Sequence, residues 1–215
     1  LFSAKDLENY ISGVIMFDET FRQSTTCDSK TNFPDYLISK GIIPGIKVDT
    51  GAKDLAGFTN EKITEGLDGL RERLAEYFEL GARFAKWRAV ININDKFPSI
   101  SSIEANTHAL ARYAALCQEN GIVPIVEPEV LMDGKNDIKR CYEVSSQTLD
   151  ILFDQLFRFN VMLEGIVLKP RKSESFVKYL KKLRFSRDQL TDPLVPWISS
   201  LKSSTLPVDN LETSI

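Results

Sequence analysis

The stretch "QENGIVPIVEPEVL", residues 118–131, decides how the chain folds. A glycine comes first, then an apolar run that turns charged at alternate positions near its end. Gly121 stops a helix, because glycine takes positive φ without the steric penalty other residues meet. "VPIVEPEVL" (123–131) then reads as a strand, with Glu127 and Glu129 on one face and Pro128 on the other. A helix running straight into a mostly apolar strand is the repeating unit of a parallel sheet covered by helices.

The same unit recurs on both sides. Strands are predicted at "SGVIMFD" (12–18), "PGIKVD" (44–49), "FAKWRAVI" (84–91) and "LEGIVLKP" (163–170). Helices are predicted at 60–81, 99–121 and 136–160, each with apolar residues at three- and four-residue spacing. Asn60 or Thr64 is expected to cap the first and Ser99 or Ser101 the second, with Gly81 and Gly121 as stops. Units of roughly 40 residues suit a βα barrel better than solenoid repeats. The fold class is therefore α/β, with five strand units in the manner of a βα barrel. No GxGxxG follows the first strand, which removes weight from a dinucleotide-binding fold.

Composition narrows the function. The 215 residues are 43% hydrophobic and 27% charged, ordinary for a globular protein. A net charge of −3 gives no electrostatic reason to expect nucleic acid or an acidic membrane surface. Cys27, Cys117 and Cys141 form an odd, widely spaced set, which reads as reduced thiols in a cytoplasmic protein. No apolar run approaches the roughly 18 residues of a membrane span. The one histidine, His108, lies in a helical pattern, so no zinc site or other metal site is expected. The first residue is Leu, and the N-terminus is expected to continue a longer chain.

Charge placement along the strands points to a site. "IKVD" puts Lys47 and Asp49 on one face, "FAKWR" puts Lys86 and Arg88 together, and Lys169 ends its strand on the face of Val167. With Glu127 and Glu129, charged groups stand near the C-terminal ends of four successive strands, the active-site end of a βα barrel. Crowded cations in a partly dry pocket favour a free lysine amine that attacks a carbonyl, while a neighbouring carboxylate moves protons. The surplus of one positive charge suits an anionic substrate such as a sugar phosphate.

Taken together, "GIKVD", "FAKWR", "GIVPIVEPE" and "LEGIVLKP" strongly resemble class I fructose-bisphosphate aldolase, supported by "SGVIMFDET" (12–20), "EGLDGL" (65–70) and "ARYAALCQENG" (111–121). The resemblance runs from about residue 1 to Pro170. It implies a metal-independent, cofactor-free glycolytic lyase that cleaves fructose 1,6-bisphosphate into dihydroxyacetone phosphate and glyceraldehyde 3-phosphate. On that basis Lys169 matches the Schiff-base lysine and Glu127 the acid/base carboxylate, with Glu129 beside it. Lys86 matches the lysine that stabilises charge, Arg88 accompanies it, and Lys47 and Asp49 match pocket residues. The family is commonly homotetrameric, and the sequence leaves the oligomeric state of this chain open.

Three segments depart from the family's pattern. A leading strand with the aspartate that assists carbon–carbon cleavage is expected before residue 1. Agreement stops at Arg171, and the last two barrel strands, with their phosphate-binding segments, have no counterpart in 171–215. By the resemblance, about five of the eight strands of a (β/α)8 TIM barrel are present. Residues 1–170 are thus expected to form an incomplete, partial barrel, and 171–215 a divergent helical then Ser/Thr/Pro-rich tail of an incomplete gene product. Such an open barrel is expected to expose two strand edges and part of its core. The competing expectations are a catalytically dead remnant that acts, if at all, by binding, and a different Schiff-base barrel lyase.

Overall fold

The computed structural model describes residues 2–26, 30–131, 133 and 136–170; the expected tail, 171–215, and Cys27 lie outside them. In chain order the elements are β1 (Gly13–Met16), α1 (Asp18–Phe21), α2 (Phe33–Ser39), β2 (Ile43–Lys47), β3 (Gly51–Asp54) and β4 (Lys62–Glu65). After these come α3 (Leu70–Glu79), β5 (Phe84–Ile91), α4 (Ile100–Glu119), β6 (Val123–Val130), α5 (Ile138–Arg158) and β7 (Val167–Leu168). Five strands form one parallel sheet in the order β1-β2-β5-β6-β7. This is the α/β architecture expected of five βα-barrel strands.

Four helices hand the chain to the sheet through one device. In α2, α3, α4 and α5 the residue after the cap, Gly41, Gly81, Gly121 or Asn160, has φ between 53° and 103°. The N–H of the next residue bonds back to the helix: Ile42 to Leu37, Ala82 to Tyr77, Ile122 to Cys117 and Val161 to Leu156, at 2.9, 2.8, 2.9 and 3.0 Å. These turns satisfy the carbonyls a helix end leaves orphaned. At the other ends, Asn32, Ser99 and Asp137 accept backbone N–H groups as caps.

Strand alternation separates the two faces of the sheet. Along β5, Ala85, Trp87, Ala89 and Ile91 are buried, and the residues between them are only half-buried. Trp87, Ala85 and Ala89 join Ile46, Val48 and Val126 in the main core. They pack there with Leu70, Leu74 and Tyr77 of α3, Leu110, Tyr113 and Cys117 of α4, and Leu152 and Leu156 of α5. On the opposite face Val123, Ile125 and Val167 pack with Phe84 in a smaller cluster. Phe84 lies across Gly45, where a Cβ would come within 2.3 Å of its ring.

The structure corrects three expectations. Residues 60–81 are not one helix: 62–65 form β4, which pairs antiparallel with β3, and α3 begins after Gly69. Neither Asn60 nor Thr64 is its cap. Ile63 and Thr64 are β-branched and suit a strand, while Gly66 and Gly69 have positive φ and break any helix between β4 and α3. Likewise, 163–165 form a 3-10 turn, leaving β7 only two residues long. The core is also better covered than expected. Val123, Ile125 and Val167 are 6–7% exposed, and the open apolar surface of this face falls on Ile15 (42%) and Phe17 (65%), at the β1 edge.

Candidate active site

The seven charged residues do converge. Parallel pairing sets Lys47 beside Lys86, and Arg88 beside Glu127. Lys169 follows β7 directly and is held by its own N–H, which donates to Val126 O at 2.8 Å. At the centre stands Glu127, 4% exposed. Lys169 Nζ donates to its Oε1, and Lys86 Nζ lies 2.9 Å from its Oε2. A carboxylate this buried is costly unless paired, and here two ammonium groups pair it. Lys86 is itself well covered, with 18% of its side chain exposed.

Two further pairs flank this triad. Arg88 Nε donates to Glu129 Oε2. Lys47 Nζ donates to Asp49 Oδ1 at 2.6 Å and to Asp49 O at 2.9 Å. Asp49, 8% exposed, also accepts Gly51 N–H on Oδ1 (3.1 Å) and Arg88 N–H on Oδ2 (3.3 Å). Besides pairing with Lys47, its carboxylate thus holds the backbone of β3 and β5. The ring of Phe17 sits 5.5 Å from Lys47 Nζ, an aromatic neighbour the strand alternation did not reveal.

Lys169 differs from expectation in one respect. Its side chain is 58% exposed, so it is not enclosed in a dry pocket. It sits beyond a strand whose one sheet neighbour among the described residues is β6. What holds the amine is the shared carboxylate of Glu127 rather than burial.

Sequence reasoning also missed Thr64 and Asn106. Thr64 Oγ1 donates to Arg88 O at 2.9 Å, and Asn106 receives Thr64 N–H at 3.2 Å. The signal available was the β-branched Ile63–Thr64 pair after the turn residues Gly57 and Asn60, both at positive φ. Elsewhere, Cys117 and Cys141 are free thiols, and His108 is an exposed α4 residue whose ring packs edge-on against Phe159. No group of His, Cys, Asp and Glu among the described residues could hold a metal ion.

Comparison with known proteins identifies the family. A family model described as "Glycolytic: Fructose-bisphosphate aldolase class-I" matches residues 1–184. The chain belongs to this family. It is 62% identical over 169 residues to a probable class 1 fructose-bisphosphate aldolase of Xanthomonas axonopodis pv. citri, covering 79% of this chain and 50% of that protein. Against the cytosolic fructose-bisphosphate aldolase 5 of Arabidopsis thaliana the identity is 52% over 170 residues, covering 79% and 47%. The fructose-bisphosphate aldolase of Plasmodium falciparum, solved as a crystal structure, superposes with a TM-score of 0.79 at 40% identity. That match covers 86% of this chain and 58% of the other. The chain spans about half the length of the curated relatives it matches. Its fold is accordingly part of the aldolase-type TIM barrel, with five parallel strands in the described residues.

Proposed function

We propose that the chain carries the Schiff-base chemistry of a fructose-bisphosphate aldolase, acting on a phosphorylated sugar in the cytoplasm. The observation that carries this reading is the buried carboxylate of Glu127 clasped between Lys86 and Lys169. Lys169 gives a proton to Glu127, and its free amine adds to the C2 ketone of the substrate to form a carbinolamine. Glu127 returns the proton to the carbinolamine hydroxyl, water leaves, and an iminium forms. Lys86, 2.9 Å from the second oxygen, keeps the carboxylate aimed and balances its charge.

The iminium then accepts the electron pair of the C3–C4 bond as that bond breaks, while the C4 hydroxyl gives its proton to a base. Glyceraldehyde 3-phosphate departs, and an enamine remains on Lys169. Protonation of the enamine and hydrolysis of the imine release dihydroxyacetone phosphate. Arg88 and Lys47 stand at the same mouth as cations for an anionic substrate, and Glu129 orients Arg88. The relatives named cytosolic or cytoplasmic support the compartment, and no helix among the described residues is long and apolar enough to cross a membrane.

The test is release of triose phosphate from fructose 1,6-bisphosphate by the purified chain, with Lys169→Arg alongside. The expected result is release by the parent and none by the variant. Equal release from both overturns the reading. The exposure of Lys169 favours a second reading, in which the chain binds the sugar phosphate and forms the imine without cleaving it. A borohydride-stable adduct without triose release distinguishes that case.

A further inference from the structure

β5 outruns its neighbour. β2 ends at Lys47, and the last backbone bond from this side of β5 is Val48 N–H to Lys86 O at 3.1 Å. In a parallel ladder the next groups facing that side are the N–H and C=O of Arg88. Both are taken up by groups outside the ladder. Asp49 Oδ2 accepts the N–H at 3.3 Å, and Thr64 Oγ1 donates to the C=O at 2.9 Å.

Thr64 is fixed in turn. Its N–H donates to Asn106 Oδ1 at 3.2 Å, and Asn106 Nδ2 donates to Lys62 O at 2.8 Å and Ser102 O at 2.9 Å. The Asn106 amide therefore meets the edge of β4 as a peptide group of another strand would. Thr64 is 2% exposed and Asn106 is fully buried. Buried polar groups with these bonds made are rigid, because breaking one leaves a desolvated donor or acceptor behind. The line of contacts runs from α4 through the β3–β4 hairpin to Arg88, whose guanidinium meets Glu129 in the mouth of the site.

We propose that Thr64, braced by Asn106, is a positioning residue. It holds the backbone of Arg88 so that the guanidinium presents to the phosphate of the bound sugar phosphate. This rests on the reading of Lys169 as the imine-forming lysine, since the positioned charge matters only to a substrate held there.

The test uses the full chain with dihydroxyacetone phosphate and borohydride, reading the adduct at Lys169 by mass spectrometry across a concentration series. In Thr64→Val the half-saturating concentration is expected to rise roughly five- to tenfold with an unchanged plateau, the loss of one hydrogen bond. Thr64→Ser, which keeps the hydroxyl, restores the parent value. An unmoved half-saturation in folded Thr64→Val, or no rescue by serine, overturns the proposal. Should Thr64→Val not fold, Thr64→Cys, a weaker donor of similar shape, replaces it in the same comparison.

Absence of any adduct in the folded parent is a failure of the imine reading, and amide exchange then decides the brace alone. Faster exchange of Arg88 N–H in Thr64→Val, with Leu74 and Tyr77 unchanged, upholds it; parent-like exchange at Arg88 overturns it.

Discussion

The concave face of the sheet has two halves that share strands but not chemistry. Its lower half is Gly45, Phe84, Val123, Ile125 and Val167, an apolar floor with one ring laid across a glycine. Its upper half, two to four residues further along the same strands, is Lys47, Lys86, Arg88, Glu127, Glu129 and Lys169. Every one of these side chains points to the same face, because side chains repeat every two residues along a strand. What changes is depth. The floor excludes water beneath the charges, and water exclusion strengthens each ion pair above it. A third region, the helix-covered face around Trp87, supplies packing.

Substitutions should separate these regions by what they disturb. The largest effect is expected in the upper half: Glu127→Gln removes the proposed proton carrier. Adduct formation at Lys169 should then slow by roughly 10²–10⁴-fold, the usual weight of general acid–base assistance, as stopped-time borohydride trapping will measure. Next comes the helix-covered face. Trp87 is fully buried against Tyr113, ring centroids 5.6 Å apart. Trp87→Ala should cost about 3–5 kcal/mol in denaturant unfolding.

The floor is expected to rank third. At Gly45 an added Cβ meets the Phe84 ring, so Gly45→Ala must displace it. A cost of about 1–3 kcal/mol is expected from overpacking, with adduct formation impaired as the floor shifts. Normal trapping in a destabilised Gly45→Ala protein would show that the halves are less coupled than described.

The smallest effect belongs to a surface network between α1 and α3. Burial raises the Asp18 carboxyl, but hydrogen bonds from Tyr77 and Arg22 outweigh it and the net shift is downward. Glu76 is lowered by its hydrogen bond from Arg22. A lowered folded-state carboxyl stabilises above its unfolded value, near 3.9 for Asp, and that contribution fades as pH falls through the lower folded value. Asp18→Asn should therefore lower the melting temperature at pH 7, by the equivalent of at most about 1 kcal/mol for so exposed a pair. The gap to the parent should close below pH 4, roughly where Asp protonates.

Much of the site was legible because its information is local. Charged residues two apart in an apolar run must share a face, so Lys86 with Arg88 and Glu127 with Glu129 could be paired before any coordinates. Gly81 and Gly121 marked helix ends for an equally local reason, their tolerance of positive φ. The β3–β4 hairpin was not read, because the β-branched Ile63–Thr64 pair was its one signal. β3, "GAKD", is mostly exposed and shows no burial alternation. Ile63 also stands seven residues before Leu70, at helical spacing, which merged β4 with α3. The exposure of Lys169 and the contact of Thr64 with Arg88 were out of reach too, since both depend on which groups flank a strand and not on the strand itself.

The central claim is that, of three lysines at one mouth, Lys169 is the nucleophile, Lys86 steadies the carboxylate and Lys47 pairs with Asp49. Peptide mapping of the folded chain after reaction with dihydroxyacetone phosphate and borohydride tests it most directly. The account predicts the reduced three-carbon adduct on Lys169 alone, lost in Lys169→Arg. An adduct on Lys86 or Lys47, or none on a folded chain, would contradict it.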